Sequence, residues 1–448
     1  MNITIIGSGS AGLMFSLILS NHIPSCNITI ISDSNTKIIG VGESTTQPFS
    51  DSLSSYMGIN IDDFIYNVKP VNKYGIYFEF GKKDFHFTFD TAFDYWYGNE
   101  SLPMGFKFEG GNYGFTPYSQ FMNKKLNPLD NYSGAFHIDN KLFLKYLEKI
   151  AIERGVVFID DKITSIQREG DDIISLNEKY DADYFIDCSG FKPILSEEKF
   201  HSYQDELVND RALFFRTKTK HEIRPYTKSS TMNSGWLWEI DHSQGYTGNG
   251  YVYSSKYITD DEALTEVQNK LRVKIQDYRI IPFKTGRLEK HWVGNVITIG
   301  NADGFVEPLE ATSLMVIWQL SKDVIDIIRY GDNKGDLIER YNKYTNQYYD
   351  NIRDFILIHF VFNNKLKTKY WKDYRKRINK IPKDSMAYEI LNYYLKNNTH
   401  IKFLSHVFTS TNPYGLEGWY SILRGLIPTE TDRKKWLVML KKEVYNEL

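Results

Sequence analysis

The chain has 448 residues, with 54 Lys and Arg against 56 Asp and Glu, and a formal net charge of −2. That length holds one large domain or two intimately joined ones with a sizeable core, and the charge balance excludes a general attraction to nucleic acid or anionic membrane. Its two cysteines, Cys26 and Cys188, exclude a disulfide scaffold and a cysteine-based zinc site, and fit a reducing cytoplasm.

Residues 2–6 are an apolar strand that begins directly after Met1, without the basic stretch and cleavage site of a signal peptide. Gly7, Gly9 and Gly12 follow in the spacing Gly-x-Gly-x-x-Gly, then a helical segment to Leu19 and a second strand at 27–31. This strand–loop–helix–strand opening predicts a doubly wound α/β fold. The first glycine permits the turn, the second admits a pyrophosphate, and the third, after Ala11, lets helix pack on strand. A bare glycine pattern is weak, but strand and helix on either side are the context that a dinucleotide site requires. An acid about twenty residues on should hold a ribose hydroxyl; Ser32 and Asp33 both stand near that place.

Residues 40–46 read Gly40-Val41-Gly42-Glu43-Ser44-Thr45-Thr46, which on its residues alone is a flexible connection after the second strand. In 72–80, Tyr74, Ile76, Phe78 and Phe80 alternate as one face of a strand, with Lys73, Tyr77 and Glu79 on the other. On that pattern alone Lys73 reads as a solvated lysine. Leu142, Phe143, Tyr146, Leu147, Ile150 and Ala151 recur at helical spacing in 140–154, with Asp139 or Asn140 as the N-cap. Strands are expected at 156–159, 184–187 and 296–299, and helices at 311–328 and 336–353. Trp236 and Trp238, two apart, share one face of a strand as core packing or as a wall. His359, alone among apolar residues, reads as a core histidine. The basic run from Lys369 to Lys380 reads as a solvated helix face rather than a nucleic-acid surface. No uninterrupted apolar run is long enough to span a bilayer, so a soluble protein is expected.

Several of these segments together resemble the flavin-dependent halogenases, relatives of the tryptophan halogenases. They are the glycine loop, 40–46, Lys73 before Gly-Ile-x-Phe, 184–191, Trp236-Leu237-Trp238-Glu239-Ile240-Asp241 and Pro308-Leu309-Glu310. Further likeness runs through 248–255, 284–287, 354–359 and 418–420, nearly the whole chain. Asp241 stands where the family's Trp-x-Trp-x-Ile-Pro motif has proline.

The resemblance implies an FAD-binding part at 1–79, 136–204 and 285–335, a substrate-side part of sheet and loops at 80–135 and 205–284, and a mainly helical part at 336–448. It implies an enzyme that uses FADH2, O2 and a halide, chloride, bromide or iodide, to make hypohalous acid for an electron-rich aromatic. No metal is implied. A separate reductase would supply FADH2, since no second dinucleotide fingerprint is present, and a homo-oligomer is compatible with the sequence. Lys73 takes the place of the essential lysine, as an ammonium that hydrogen-bonds the oxidant or as a neutral amine that forms an N–X adduct. Glu310 takes that of the carboxylate that orients the oxidant and accepts the arene proton, with Glu307 beside it given no catalytic role. Gly300 and Asn301 lie on the second flavin-contacting strand and turn. Thr312 and Ser313 occupy the halide turn, where Ser313 replaces the family's glycine. Trp236 and Trp238 become a wall that shields the substrate from the flavin. A flavin monooxygenase or oxidase of the same fold is the alternative.

Overall fold

The computed structural model describes residues 1–36, 42–89, 118, 122, 134–331, 334–397 and 411–445. Two compact units emerge: Met1–Val71, Gly134–Ser202 and Lys284–Tyr349 in one, and Asn72–Ser133, Tyr203–Phe283 and Asp350–Leu448 in the other. The fold is α/β, as the sequence predicts.

The first unit is built on a six-stranded sheet in the order Trp292–Val293, Val296–Thr298, Tyr184–Asp187, Asn2–Ile6, Asn27–Ser32, Val157–Asp160. All neighbours run parallel except the edge pair Trp292–Val293 and Val296–Thr298. A parallel sheet is covered on both faces, which is why Ile3, Ile5, Phe185, Ile186 and Ile297 are almost wholly buried. The helix Ser10–His22 connects the first two strands and buries Leu13 to Leu19. It packs beside Asn140–Glu153 and Ser313–Tyr330. The helix Asn140–Glu153 starts where Asp139 accepts a hydrogen bond from the Leu142 amide at 3.0 Å, so Asp139 is the N-cap.

Two helix boundaries depart from the periodicity. The helix expected from 311 begins at Ser313, because Pro308–Glu310 forms a separate 3-10 turn and Ala311 is left-handed, with φ of 57°. The next runs over Lys334–Val361, longer than expected, since Phe355, Ile356, Ile358 and Phe360 continue its apolar face.

The second unit holds a seven-stranded sheet: Tyr278–Pro282, Arg211–Lys218, Tyr246–Tyr253, Gly235–Asp241, Thr227–Met232, Gly75–Glu79, Phe85–Thr88. Thr227–Met232 and Gly75–Glu79 run parallel, and the other neighbours antiparallel. On one face, Leu213, Phe215, Leu237, Tyr251 and Tyr253 pack against Ala263 and Val267 of the helix Asp260–Leu271. A capping box between Thr259 and Glu262 starts that helix. The other face carries Phe78 against His359, with ring centroids 5.3 Å apart. His359 is buried and bonded through Nδ1 to the Phe355 carbonyl at 2.7 Å, a core histidine.

In the basic helical run, Trp371 and Tyr374 are fully buried, and the Trp371 indole donates to the Met232 carbonyl at 2.7 Å. Its aromatics belong to the core and are not offered for base stacking. Among the described residues no helix is long and apolar enough to cross a membrane.

Candidate functional site

The glycine loop closes the first strand onto the first helix. Gly7 has φ of 108°, and its amide donates to Ile31 O at 2.8 Å. A Cβ on Gly12 would meet the Gly7 carbonyl oxygen at 2.0 Å, so helix and strand approach as only glycine allows. Gly9 is different: a Cβ there would meet nothing within 4 Å. Residue 9 is also the N-cap of Ser10–His22 and makes no side-chain cap bond. The first helical amides and the positive end of the dipole therefore adjoin open space, a cradle that fits a pyrophosphate.

Gly300, φ 73°, closes the far side: its Cβ would meet the Ala11 Cβ at 2.8 Å. Asn301 lies in the 3-10 turn Gly300–Ala302 that follows. Asp33 closes its own turn, with Oδ1 accepting from the Asn35 amide at 2.8 Å and the Asn35 side chain at 3.0 Å, while Ser32 pairs with Asp160 across the sheet.

Gly42, φ 95°, leads into the short strand Glu43–Ser44, paired with Ile138 and His137. Burial raises the Glu43 carboxyl to about 7. Gly40 and Val41 lie outside the described residues.

Glu307 and Glu310 are both buried. The Leu309 amide donates to Glu307 O at 2.9 Å and the Ala311 amide to Pro308 O at 3.1 Å, which folds the segment tightly. Thr312, at φ −81° and ψ −17°, caps the 18-residue helix whose first residue is Ser313. Ser313 is thus helical and needs no glycine; the left-handed residue of this turn is Ala311. The amides at the start of the helix have no partner one turn back, so this end is suited to an anion.

Lys73 is not solvated. It is 0% exposed, and Nζ stands 4.8 Å from the centroid of the Phe89 ring. The alternation seen in the sequence does not reach it, because the strand starts at Gly75. Its neighbour Tyr74 is fixed on both sides: the Tyr74 amide donates to Pro225 O at 2.9 Å, and Tyr74 O accepts from the Phe89 amide at 3.0 Å. Lys73 belongs to the second unit and Glu310 to the first.

Trp236 and Trp238 are buried side by side on Gly235–Asp241. Register puts Trp238 opposite Ser229, and Ser229 opposite Phe78, so these side chains share a face. Gly250 makes room for the indole of Trp238, since a Cβ there would lie 2.3 Å from its ring atoms. The opposite face of the strand carries Glu239 and Asp241, bound to Lys228 and Arg224.

Phe89, Arg224 and Pro225 surround the lysine segment without having stood out in the sequence. The only available signal was the Arg-Pro dipeptide, because proline forces its predecessor into extended backbone. Among the described residues no group of three His, Cys, Asp or Glu is arranged to hold a metal ion.

The family profile described as tryptophan halogenase matches residues 2–433. The chain is 28% identical over 420 residues to tryptophan 7-halogenase RebH of Lentzea aerocolonigenes, covering 83% of this chain and 78% of that protein. It is 29% identical over 423 residues to tryptophan 7-halogenase KtzQ of Kutzneria sp., with the same two coverages of 83% and 78%. Among solved structures, the tryptophan 5-halogenase MibH superposes with a TM-score of 0.83 at 25% identity, over 98% of this chain and 90% of that one. A tryptophan halogenase from Shewanella frigidimarina shares the fold, at TM-score 0.83 and 22% identity, over 99% of this chain and 94% of that one.

Proposed function

The chain belongs to the tryptophan halogenase family and is a flavin-dependent halogenase; we propose that Lys73 and Glu310 deliver hypohalous acid to an electron-rich aromatic substrate. The observation that carries this reading is the burial of Lys73. A lysine with 0% exposure and an aromatic ring 4.8 Å from its amine is held for a purpose other than solubility.

When bound, reduced FAD with dioxygen supplies the two-electron oxidation of halide to hypohalous acid. Gly9 and the first amides of the helix would face the pyrophosphate, Gly7, Ala11 and Gly12 shaping the loop that presents them, with Gly300 and Asn301 closing the flavin end and Ser32 or Asp33 near the ribose. The loop from Gly40 through Ser44 responds to the flavin. The backbone amides of Thr312 and Ser313 hold the halide at the positive end of their helix.

Lys73 hydrogen-bonds the oxygen of the oxidant and polarises the O–X bond. An aromatic carbon takes the halogen, the O–X bond breaks, and the departing hydroxide leaves as water with a proton from the Lys73 side. The Glu310 carboxylate takes the proton from the halogenated ring carbon. Trp236 and Trp238 keep the arene from the flavin, so that oxidant travels to Lys73 and oxygen insertion is suppressed. A separate flavin reductase supplies FADH2.

The test is an aromatic panel, with free tryptophan and a tryptophan-containing peptide among its members, incubated with FAD, a reductase and each halide in turn. Mass spectrometry reads the product, and bromide marks it by its isotope doublet. Lys73→Met should still consume reduced FAD and dioxygen but form no halogenated product. Unchanged product formation by that variant would reject the role of Lys73.

A further inference from the structure

Asp241 occupies the place where the motif of the family carries proline, and it makes contacts that proline cannot. Its carboxylate is 0% exposed. Oδ2 accepts from the Arg224 amide at 2.9 Å and from Arg224 Nε at 2.9 Å, while Oδ1 accepts from Arg224 Nη2 at 2.8 Å and Thr247 Oγ1 at 2.8 Å. His221 Nε2 lies 2.9 Å from Oδ2. Arg224 Nη1 reaches Glu239 at 3.2 Å, two residues back on the same strand. Burial pushes the Asp241 carboxyl up, but the bonds and charge of Arg224 outweigh it and hold the group well below the usual carboxylate range.

This is a bidentate pair with a third bond from the backbone of the same arginine. Such forks fix direction as well as distance. Arg224 therefore has neither its main chain nor its side chain free to shift. The next residue is Pro225, whose φ is locked by its ring. Pro225 O in turn accepts from the Tyr74 amide at 2.9 Å. Tyr74 O accepts from the Phe89 amide at 3.0 Å, and the ring of Phe89 is the one beneath the Lys73 amine. A continuous run of short contacts thus leads from the tryptophan strand to the lysine.

We propose that Arg224 and Asp241 are positioning residues for halogenation: their ion pair holds the Pro225 carbonyl on the Tyr74 amide and so fixes Lys73 over Phe89. This rests on the delivery role given to Lys73 above. Displacing a delivering group by an ångström costs as much as about a hundredfold in rate, whereas the steps that consume reduced flavin do not require the lysine to be in place.

The experiment compares Asp241→Asn, Arg224→Lys and Lys73→Met in the full-length protein loaded with FAD, and combines Asp241→Asn with Lys73→Met. Four quantities are read: product formed per reduced flavin consumed, kcat and KM for the aromatic substrate, and the thermal midpoint. In Asp241→Asn the product yield and kcat should fall about tenfold or more while KM stays within about twofold. Arg224→Lys, which keeps the charge but loses the fork, should fall between that variant and the wild type. In the Lys73→Met background the Asp241→Asn change should alter flavin consumption no further.

A lowered thermal midpoint with wild-type yield in Asp241→Asn would overturn the proposal, leaving the pair a stabilising feature only. Should Asp241→Asn fail to fold, wild-type yield in Arg224→Lys would do the same. If Lys73→Met itself halogenates normally, the delivery role falls and this inference with it. If Lys73→Met is dead and the clamp variants are not impaired, the inference alone falls.

Discussion

The Gly7 carbonyl oxygen lies 2.0 Å from the point a Cβ would occupy on Gly12, whereas the corresponding point on Gly9 meets nothing within 4 Å. The two glycines therefore serve different ends, one internal to the fold and one toward a ligand. Gly12→Ala should destabilise the FAD-free protein by about 1–3 kcal/mol, as overpacking does. Gly9→Ala should change that stability by less than about 1 kcal/mol yet weaken FAD binding. Denaturation of FAD-free protein and titration with FAD separate the two effects. Equal loss of stability in both variants would contradict this assignment.

Glu310→Gln keeps the size of the side chain and removes its basicity. Halogenation kcat should fall by about 10²–10⁴, the range for a positioned proton acceptor, with KM for the arene little changed. Glu307→Gln, at the equally buried neighbour, should leave kcat within about threefold of wild type. Steady-state kinetics with a single arene and bromide measures both.

The Glu43 carboxyl has a folded-state value of about 7 against 4.5 for the free group, because burial disfavours its charged form. The folded state thus binds the proton more tightly than the unfolded one. The favourable contribution is complete below about pH 4.5 and disappears as pH rises through about 7. Glu43 retains some exposure, so the change should be about 1–2 kcal/mol rather than the full conversion. Glu43→Gln should flatten the slope and be the more stable protein at pH 8. Urea midpoints of FAD-free protein across that range test it; identical slopes in the two proteins would exclude Glu43 as the source.

Gly250 and Trp238 are neighbours across two strands, and a Cβ at 250 would lie 2.3 Å from the indole. Gly250→Ala should displace Trp238, costing about 1–3 kcal/mol. It should also shift the indole's fluorescence. If Trp238 is part of a wall, the same variant should yield more oxygenated or uncoupled product per flavin consumed, read by mass and by peroxide assay. An unchanged product ratio with displaced Trp238 would remove the shielding role.

Ala311 holds a left-handed backbone, φ 57°, between Glu310 and Thr312. Such a conformation costs a residue with a Cβ about 1–2 kcal/mol, and glycine gives back part of the relief as chain entropy, about 0.5–1 kcal/mol. Ala311→Gly should therefore stabilise by about 0.5–1 kcal/mol, measured by chemical denaturation. A loss of stability would mean that the Ala311 methyl contributes packing beyond its strain.

The parallel sheet was readable because its strands are short apolar runs, bounded by glycine and polar turns, and both faces must be covered. The glycine loop was readable for a related reason: its spacing follows from backbone geometry that no other residue allows. Lys73 was misplaced by the alternation of its segment. The period of two holds only inside the strand, and the strand starts at Gly75, so the lysine's surroundings depend on Phe89 and Pro225, which no local pattern connects to it. The role of Asp241 was likewise hidden. Its difference from proline was visible, but an ion pair with Arg224, 17 residues earlier, becomes evident only once the strand pairing brings them together. At Ser313, which stands where the family has glycine, the backbone is helical, and the positive φ lies instead at Ala311.

The strand Tyr184–Asp187 lies between Asn2–Ile6 and Val296–Thr298 in the sheet. During synthesis, its second edge stays open until the ribosome has made more than 100 further residues, from Asp187 to Val296. An unpaired apolar edge of this kind is a template for aggregation. The nascent chain therefore exposes that edge throughout the interval, and expression yield should respond to translation speed between those two strands.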